Sequence, residues 1–448
     1  MNELSLSRPQ TQPELGDAKH ESQKRASAKE EPAVRPSVMA AVSGLSLADV
    51  LHQAPRLLEL LQLCRSLDAL LVTNTGLSRV VQQYVTHITI PDQSHIDTFA
   101  KDRWPNLQRM SLQSVQDPSA VAGLSEGGWQ ISTLMPTFAK LDLDAIMALQ
   151  TGTWPWQMLT DLAVYFEQGL PVDLHMLSTR RWPLLESLIL CCGRLDDAQA
   201  SLIFRADWPS LRNLELSRNH LMDLEGVDHN RWQQLESVCL SNNPVSNTGL
   251  QRLISAQWPK LTSCNLSNVA VNIYLLAGGP ALTWHQLIEA KWPMLSSLYV
   301  FGNGIKATMM KNIVEAQFSS IKKLNLSYNA LDSVAIGHLV KGPWLQLCDL
   351  HLTNALRGSI ADCLVLLSTA AWPQLTFLWL RKNRVDATVL PALAKSKWPS
   401  LHYVDLSGNG LSRDDFRLMT TGAGGDAACD EPRDIFRKLW PELVSVDY

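Results

Sequence analysis

The chain has 448 residues, of which 46% are hydrophobic and 18% are charged, and its formal net charge is −4. This length and apolar fraction suffice for a large buried core, whereas the slight negative charge gives no electrostatic basis for binding nucleic acid or an anionic membrane. No apolar run approaches the roughly 18–20 residues needed to span a bilayer, so the sequence predicts neither nucleic-acid nor membrane partners.

The first 90 residues divide into two segments of different composition. Residues 1–43 are rich in Pro, Ser, Gln, Lys and Glu, which predicts a disordered leader. Residues 44–90 carry apolar residues at helical spacing, which predicts a helical cap over the exposed end of the segment that follows. Residues 91–448 make up the third predicted segment.

In residues 91–448 an aromatic residue is followed by aliphatic residues at fixed offsets twelve times. Two of the fullest copies open at Trp208 and Trp398 and read Trp-Pro-x-Leu-x-x-(Leu/Val)-x-Leu-x-x-Asn-x-Leu. The other copies open at Trp104, Trp156, Trp182, Trp232, Trp258, Trp292, Phe318, Trp344, Trp372 and Trp440. Between Trp156 and Trp398 the gaps are 26, 26, 24, 26, 34, 26, 26, 28 and 26 residues. A fixed period in this range predicts a solenoid of stacked turns. Between Trp104 and Trp156 there is room for one degenerate repeat near Trp129.

The Leu-x-x-Leu-x-Leu-x-x-Asn-x-Leu core closely resembles that of the leucine-rich repeat superfamily, over about three-quarters of the chain. The resemblance implies an α/β fold: a curved solenoid with parallel strands on its concave face and helices on its convex face. Helical apolar spacing after each repeat's Asn, as at Leu250, Leu253 and Ile254, favours the ribonuclease-inhibitor-like branch. The helix that follows is expected to begin after an N-cap at Asp196, Ser246, Asp386 or Ser412.

Two recurring residue types are interpreted as structural. The Asn at offset eleven is expected to bond the backbone of neighbouring turns as an asparagine ladder. It is present at Asn219, Asn243, Asn303, Asn329, Asn383 and Asn409, and is replaced at Gly193, Val269 and Ala355. The recurring Trp is expected to form a buried column rather than a platform for nucleic-acid bases, because a binding residue need not recur in every turn.

The residues at offsets +5, +7 and +9 are expected to project from the concave wall, because side chains alternate along a strand. In the middle repeats they are small and polar: Asn213, Glu215, Ser217, Ser237, Cys239, Ser241, Ser263, Asn265 and Ser267. Farther along they are larger: Tyr299, Phe301, His351, Phe377, Trp379, Arg381 and Tyr403. Exposed aromatics beside an Arg are typical of protein interfaces, so this second set is the candidate partner-binding site.

One catalytic motif occurs in the sequence. Gly123-Leu124-Ser125-Glu126-Gly127 fits the G-x-S-x-G elbow, yet it follows a polar stretch and precedes Gly128, not the strand and helix that the elbow requires. The histidines and cysteines show no metal-ligand spacing. We therefore predict a non-enzymatic, monomeric chain without cofactors that binds another protein. A serine hydrolase acting through Ser125 is one alternative.

A second alternative concerns the predicted cap. Leu60–Val81 resembles the second half of an F-box, a motif that in other proteins precedes leucine-rich repeats and joins substrates to a ubiquitin ligase; the usual Leu-Pro start and later Trp are absent. The eight cysteines are scattered rather than clustered in caps that flank the array. This distribution favours a reducing compartment, cytoplasmic or nuclear.

Overall fold

The computed structural model describes eleven parts of the chain, namely residues 87–90, 107–115, 133–138, 160–166, 182–229, 232–270, 284–393, 395–412, 415, 443 and 445–447. All of them belong to one compact unit, residues 69–448. The predicted leader, most of the predicted cap and the whole Ser125 motif lie outside the described residues.

The described strands form one parallel sheet in which strand order follows chain order. They are β1 His87–Ile90, β2 Arg109–Val115, β3 Thr133–Phe138, β4 Asp161–Phe166, β5 Ser187–Cys191, β6 Asn213–Glu215, β7 Ser237–Cys239, β8 Ser263–Asn265, β9 Ser297–Tyr299, β10 Lys323–Asn325, β11 Asp349–His351, β12 Phe377–Trp379, β13 Tyr403–Asp405 and β14 Ser445–Asp447. Each of the twelve predicted copies supplies one strand. The degenerate repeat supplies β3, and β1 begins at residue 87, ahead of the predicted boundary at 91.

Strand register explains which side chains enter the core. In β6, β7 and β8 the central residues Leu214, Val238 and Cys264 pair directly with one another, and each is at most 2% exposed. The residues before and after each central residue point to the opposite face of the sheet, because successive side chains along a strand point in opposite directions. One row of the sheet therefore builds the core, and the two flanking rows form a wall that faces away from it.

Six α-helices and two 3-10 helices return the chain between the described strands. They are α1 Asp197–Phe204, α2 Asn247–Ser255, α3 Ala307–Glu315, α4 Ser333–Leu339, α5 Ile360–Ser368, α6 Leu390–Leu393 and the 3-10 segments Val227–His229 and His285–Glu289. Helix α3 packs against α4, and α4 against α5. The predicted caps at Asp196 and Ser246 are confirmed, since each side chain accepts an N–H of its helix's first turn.

Two turns differ from the predicted helix. The 24-residue repeat is too short for an α-helix, and the carboxylate of Asp197 instead holds the loop by accepting the N–H groups of residues 222–224 at 2.9–3.1 Å. In the 34-residue repeat Trp284 is fully buried before a 3-10 helix. Trp284 lies eight residues before Trp292, the Trp that opens the next repeat. Leu250 lies at the same distance before Trp258. An indole here supplies the apolar volume of a missing helical turn.

The recurring tryptophans form the predicted buried column. Trp208 is fully buried, and its ring stacks 5.8 Å from that of Trp182 and 5.9 Å from that of Trp232. The rings of Trp372 and Trp398 stack at 6.2 Å in the same way. These ring contacts join neighbouring repeats through their anchors.

The six predicted asparagines form the ladder. Asn329 is 2% exposed; its Oδ1 accepts the N–H groups of Asn303 and Ile305, and its Nδ2 donates to the carbonyls of Val300 and Leu326, all at 2.8–3.0 Å. Where the Asn is replaced, the backbone N–H of the replacing residue still donates to the next Asn along the ladder: Gly193 to Asn219, Val269 to Asn303 and Ala355 to Asn383.

Candidate functional site

Four of the seven predicted partner-binding residues form one group of touching rings on the wall of β11, β12 and β13. We call His351, Phe377, Trp379 and Tyr403 the aromatic cluster. The imidazole of His351 lies parallel to the indole of Trp379, with centroids 5.0 Å apart. Tyr403 contacts both Trp379, at 4.9 Å, and Phe377, at 6.3 Å, in tilted geometry. The rings come together because β12 pairs with both of its neighbours in register.

The carboxylate of Asp349 fixes two rings of the aromatic cluster. Its Oδ1 lies 3.0 Å from Nε2 of His351 on the same strand and accepts a 3.0 Å hydrogen bond from Nε1 of Trp379 on the next strand. Two donors that converge on one oxygen hold the imidazole and the indole in their parallel arrangement. The chain's own residues thus fix the positions of these two rings.

The electrostatics of Asp349 agree with this role. Burial by itself raises the pKa of this carboxyl, but the hydrogen bonds and charge of His351, the hydrogen bond from Trp379 and the charge of Lys323 outweigh it and hold the pKa below its ordinary value of 3.8. Asp349 is therefore a carboxylate at neutral pH and accepts both hydrogen bonds in that form.

The aromatic cluster remains accessible on the wall. Phe377 is 42% exposed, and His351, Trp379 and Tyr403 are half-buried. Arg381 follows β12 and is exposed; among the described residues its side chain makes no hydrogen bond or ion pair. The structure thus places Arg381 beside the rings without tying it to them.

Tyr299 and Phe301, the other two predicted residues, lie two turns before the His351 turn. Strand β10, with Lys323 and Asn325 on its wall, separates them from the aromatic cluster. Phe301 contacts Tyr328 instead, at 4.8 Å. Four of the seven residues therefore form the aromatic cluster, and Phe301 takes part in a separate ring contact.

Two residues of this surface were absent from the predicted set. Asp349 stands at offset +5 and two residues before His351, a spacing that places both on one face of a strand, so alternation alone could have identified it. Tyr328 is 43% exposed and has a left-handed backbone, with φ 56°. Its offset of +10 falls beyond the strand, where alternation no longer gives the side-chain direction.

The middle of the wall carries short polar side chains that bond to one another. The carboxylate of Glu215 accepts the N–H of Ser217 at 3.0 Å, and the thiol of Cys239 donates to Ser241 at 3.5 Å. Burial, together with the nearby charge of Glu215, raises the pKa of Cys239 to about 12. Burial likewise raises the pKa of Cys191 to about 11. These thiols are neutral at physiological pH, so they are not nucleophiles there.

Comparison with solved structures identifies the fold. An internalin from Listeria monocytogenes is 16% identical; the match covers 86% of this chain and 94% of that one, with a TM-score of 0.51. The fold is a leucine-rich repeat solenoid. Its parallel strands line the concave face, which is the wall described above, and its helices lie on the convex face.

Two plant receptors match over smaller shares of their own length. The peptide hormone receptor RGFR1, solved in complex with RGF2, is 15% identical over 73% of this chain and 49% of that one, with a TM-score of 0.39. The ectodomain of the Arabidopsis thaliana receptor kinase GASSHO1/SCHENGEN3 is 18% identical over 71% and 38%, with a TM-score of 0.36. No family model and no curated protein matches the chain. In the described part of the solenoid, no helix has the length and apolarity to cross a membrane.

Proposed function

We propose that this chain is a non-catalytic scaffold that binds another protein through the aromatic cluster on its concave face. The observation that carries the proposal is the linkage of two partly exposed rings, His351 and Trp379, by a single carboxylate. A partner would meet rings that are already oriented, and this reduces the conformational entropy lost on binding.

The composition of the surface fits a protein partner. Aromatic rings and Arg dominate the energetics of protein interfaces, and contiguous exposed apolar surface on a monomer is commonly functional. A platform for single-stranded nucleic acid also uses aromatic rings, but it surrounds them with positive charge. Here Asp349 and Asp405 lie among the rings, and their carboxylates would repel phosphates.

Several narrower assignments belong to the same proposal. The ribonuclease-inhibitor-like branch is supported by α-helices in most of the described turns. Residues 44–90 are proposed as a helical cap, with an F-box-like adaptor motif as the alternative. The protein is proposed to be a monomer in the cytoplasm or the nucleus. Pull-downs with the full-length chain and with a chain lacking residues 1–90 would distinguish a cap from an adaptor motif. If residues 44–90 are an adaptor motif, the full-length chain retains ubiquitin-ligase subunits and the truncated chain does not.

The central test compares two wall positions that share one repeat offset. Phe377 and Ser263 both stand at offset +5, one in the aromatic cluster and the other in the middle wall. Full-length protein, Phe377→Ala, Trp379→Ala and Ser263→Ala would each capture partners from a lysate of the source cells. A protein retained by the wild type and Ser263→Ala but lost by both aromatic variants would then be purified and titrated directly.

For that partner we expect Trp379→Ala to weaken binding by roughly 2 kcal/mol or more, while circular dichroism shows an intact fold. Ser263→Ala should leave the affinity unchanged, because a short side chain contributes little contact area. Equal affinity for the wild type and Trp379→Ala, measured with a partner that does bind, would remove the aromatic cluster from the interface.

A further inference from the structure

A second surface feature lies beside the aromatic cluster, in the loops that follow β11 and β12. It is a cavity of about 200 Å³. The described residues that line it are Asn354, Leu356, Arg357, Gly358, Ile360, Lys382, Asn383 and Arg384.

The lining of this cavity is strongly positive, although the whole chain has a net charge of −4. Arg357, Lys382 and Arg384 contribute three cationic side chains, and no acidic residue is among the described lining residues. All three are exposed, and none forms an ion pair with a described residue. Three neighbouring cations without a counter-charge favour the approach of an anion.

At the cavity the two donors to the asparagine ladder are closer along the chain than in a regular turn, an arrangement that the turn of β8 shares at Val269 and Ala270. In a regular turn the N–H groups of Asn303 and Ile305, two residues apart, donate to the next ladder asparagine. In the turn of β11 the two donors are the adjacent residues Ala355 and Leu356. Leu356 therefore enters the core one residue early, at 2% exposure, and the next residue in the chain, Arg357, stays at the surface.

The neighbouring backbone holds the cations in place. Nη1 of Arg357 donates to the carbonyl of Leu356 at 2.7 Å and to Oδ1 of Asn354 at 3.5 Å, and among the described residues its Nε and Nη2 have no acceptor. The stem of Lys382 packs so closely on Gly408 that a Cβ added to that glycine would lie 3.0 Å from Cγ of the lysine. Helix α5 begins at Ile360, so the positive end of its dipole is at the same cavity.

We propose that this cavity binds a phosphate group. A phosphate monoester carries nearly two negative charges at neutral pH, which suits three cations better than a single carboxylate does. Guanidinium groups match the oxygens of phosphate in bidentate geometry. The site is independent of the proposed partner surface, since none of its lining residues belongs to the aromatic cluster.

The test titrates full-length protein with inorganic phosphate, O-phosphoserine and acetate by calorimetry at low ionic strength, where surface charges are least screened. We expect both phosphates to bind and acetate to bind much more weakly. Tighter binding of O-phosphoserine would identify an esterified phosphate as the ligand, and equal binding would identify free phosphate. The double variant Lys382→Gln/Arg384→Gln should weaken phosphate binding about tenfold.

Arg218→Gln is the matched control. Arg218 and Lys382 stand at the same repeat offset with the same left-handed backbone, φ 57° and 58°, but Arg218 lies six turns earlier and outside the cavity. It should leave phosphate binding unchanged, as should Trp379→Ala, which disrupts the proposed partner surface alone. Three outcomes would overturn the proposal: no phosphate binding, acetate binding as tight as phosphate binding, or a loss of phosphate affinity in Arg218→Gln equal to that of the double variant. The last two would mean that the cavity attracts anions only through nonspecific surface charge.

Discussion

The wall of β11–β13 and the wall of β6–β8 share one backbone but present different chemistry. In the aromatic region a carboxylate on one turn bonds the indole of the next turn, and rings from three turns touch. In the middle region the polar side chains are short and bond both within a turn, as Glu215 does with Ser217, and between turns, as Cys191 does with Ser217. The first region offers large apolar faces, and the second offers few.

This difference shows how a solenoid separates stability from recognition. The anchor Trp and the central strand residue repeat because they face the core, where each turn must match its neighbour. The offsets +5, +7 and +9 face solvent and are free to differ between turns. Aromatic residues at these offsets add nothing that the core requires, and for this reason we propose that β11–β13 carry recognition.

The largest expected effect concerns the core that both regions share. Trp208→Ala in the middle region and Trp372→Ala in the aromatic region should each lower the free energy of unfolding by roughly 3–5 kcal/mol. Both rings are at most 1% exposed, so the cavity left behind is similar. Chemical denaturation measures the loss, and hydrogen exchange should show the adjacent repeats opening first. An unchanged midpoint for either variant would mean that the column does not stabilise that region.

The regularity of the core made most of the fold predictable from the sequence. The twelve copies with an aromatic anchor all supply strands, whereas β1 has no such anchor. In β3 the central residue Leu134 pairs with Leu162. It lies five residues after Trp129, whereas the central residue of a regular copy lies six after its anchor, so offsets counted from Trp129 are wrong by one residue. The burial of Trp284 does not follow from the repeat, because it depends on a 3-10 helix that replaces an α-helix.

The candidate surfaces were less predictable. The four rings of the aromatic cluster and the face of Asp349 follow from alternation, but the hydrogen bonds by which Asp349 links two of the rings do not. The basic cavity lies where the two donors to the asparagine ladder are the adjacent residues Ala355 and Leu356. Such a local change in backbone path has no signature in the repeat beyond a missing Asn.

A second, smaller effect tests the linkage within the aromatic region. Asp349→Asn should cost about 1–2 kcal/mol at pH 7, because the charged acceptor for His351 and Trp379 is lost. The pKa of Asp349 is lowered in the folded state, so its contribution is fully present above the ordinary value of 3.8 and is lost as the pH falls below it. The stabilities of wild type and Asp349→Asn should therefore converge in acid. A difference that stays constant from pH 7 to pH 3 would show that ionisation of Asp349 is irrelevant to the linkage.

The smallest expected effect lies in the middle region and has the opposite pH dependence. The pKa of Cys239 is raised from 9.0 to about 12, so the folded chain keeps this thiol neutral where the unfolded chain ionises it. The free energy of unfolding of the protein therefore falls as the pH rises above 9, by roughly 1 kcal/mol at pH 10. Cys239→Ser carries no ionisable thiol and should lose less stability between pH 8 and pH 10 than the wild type. Denaturant unfolding at both pH values measures the difference, and Asp349→Asn should follow the wild type over the same range. Parallel losses in the wild type and Cys239→Ser would mean that burial of this thiol does not govern its ionisation.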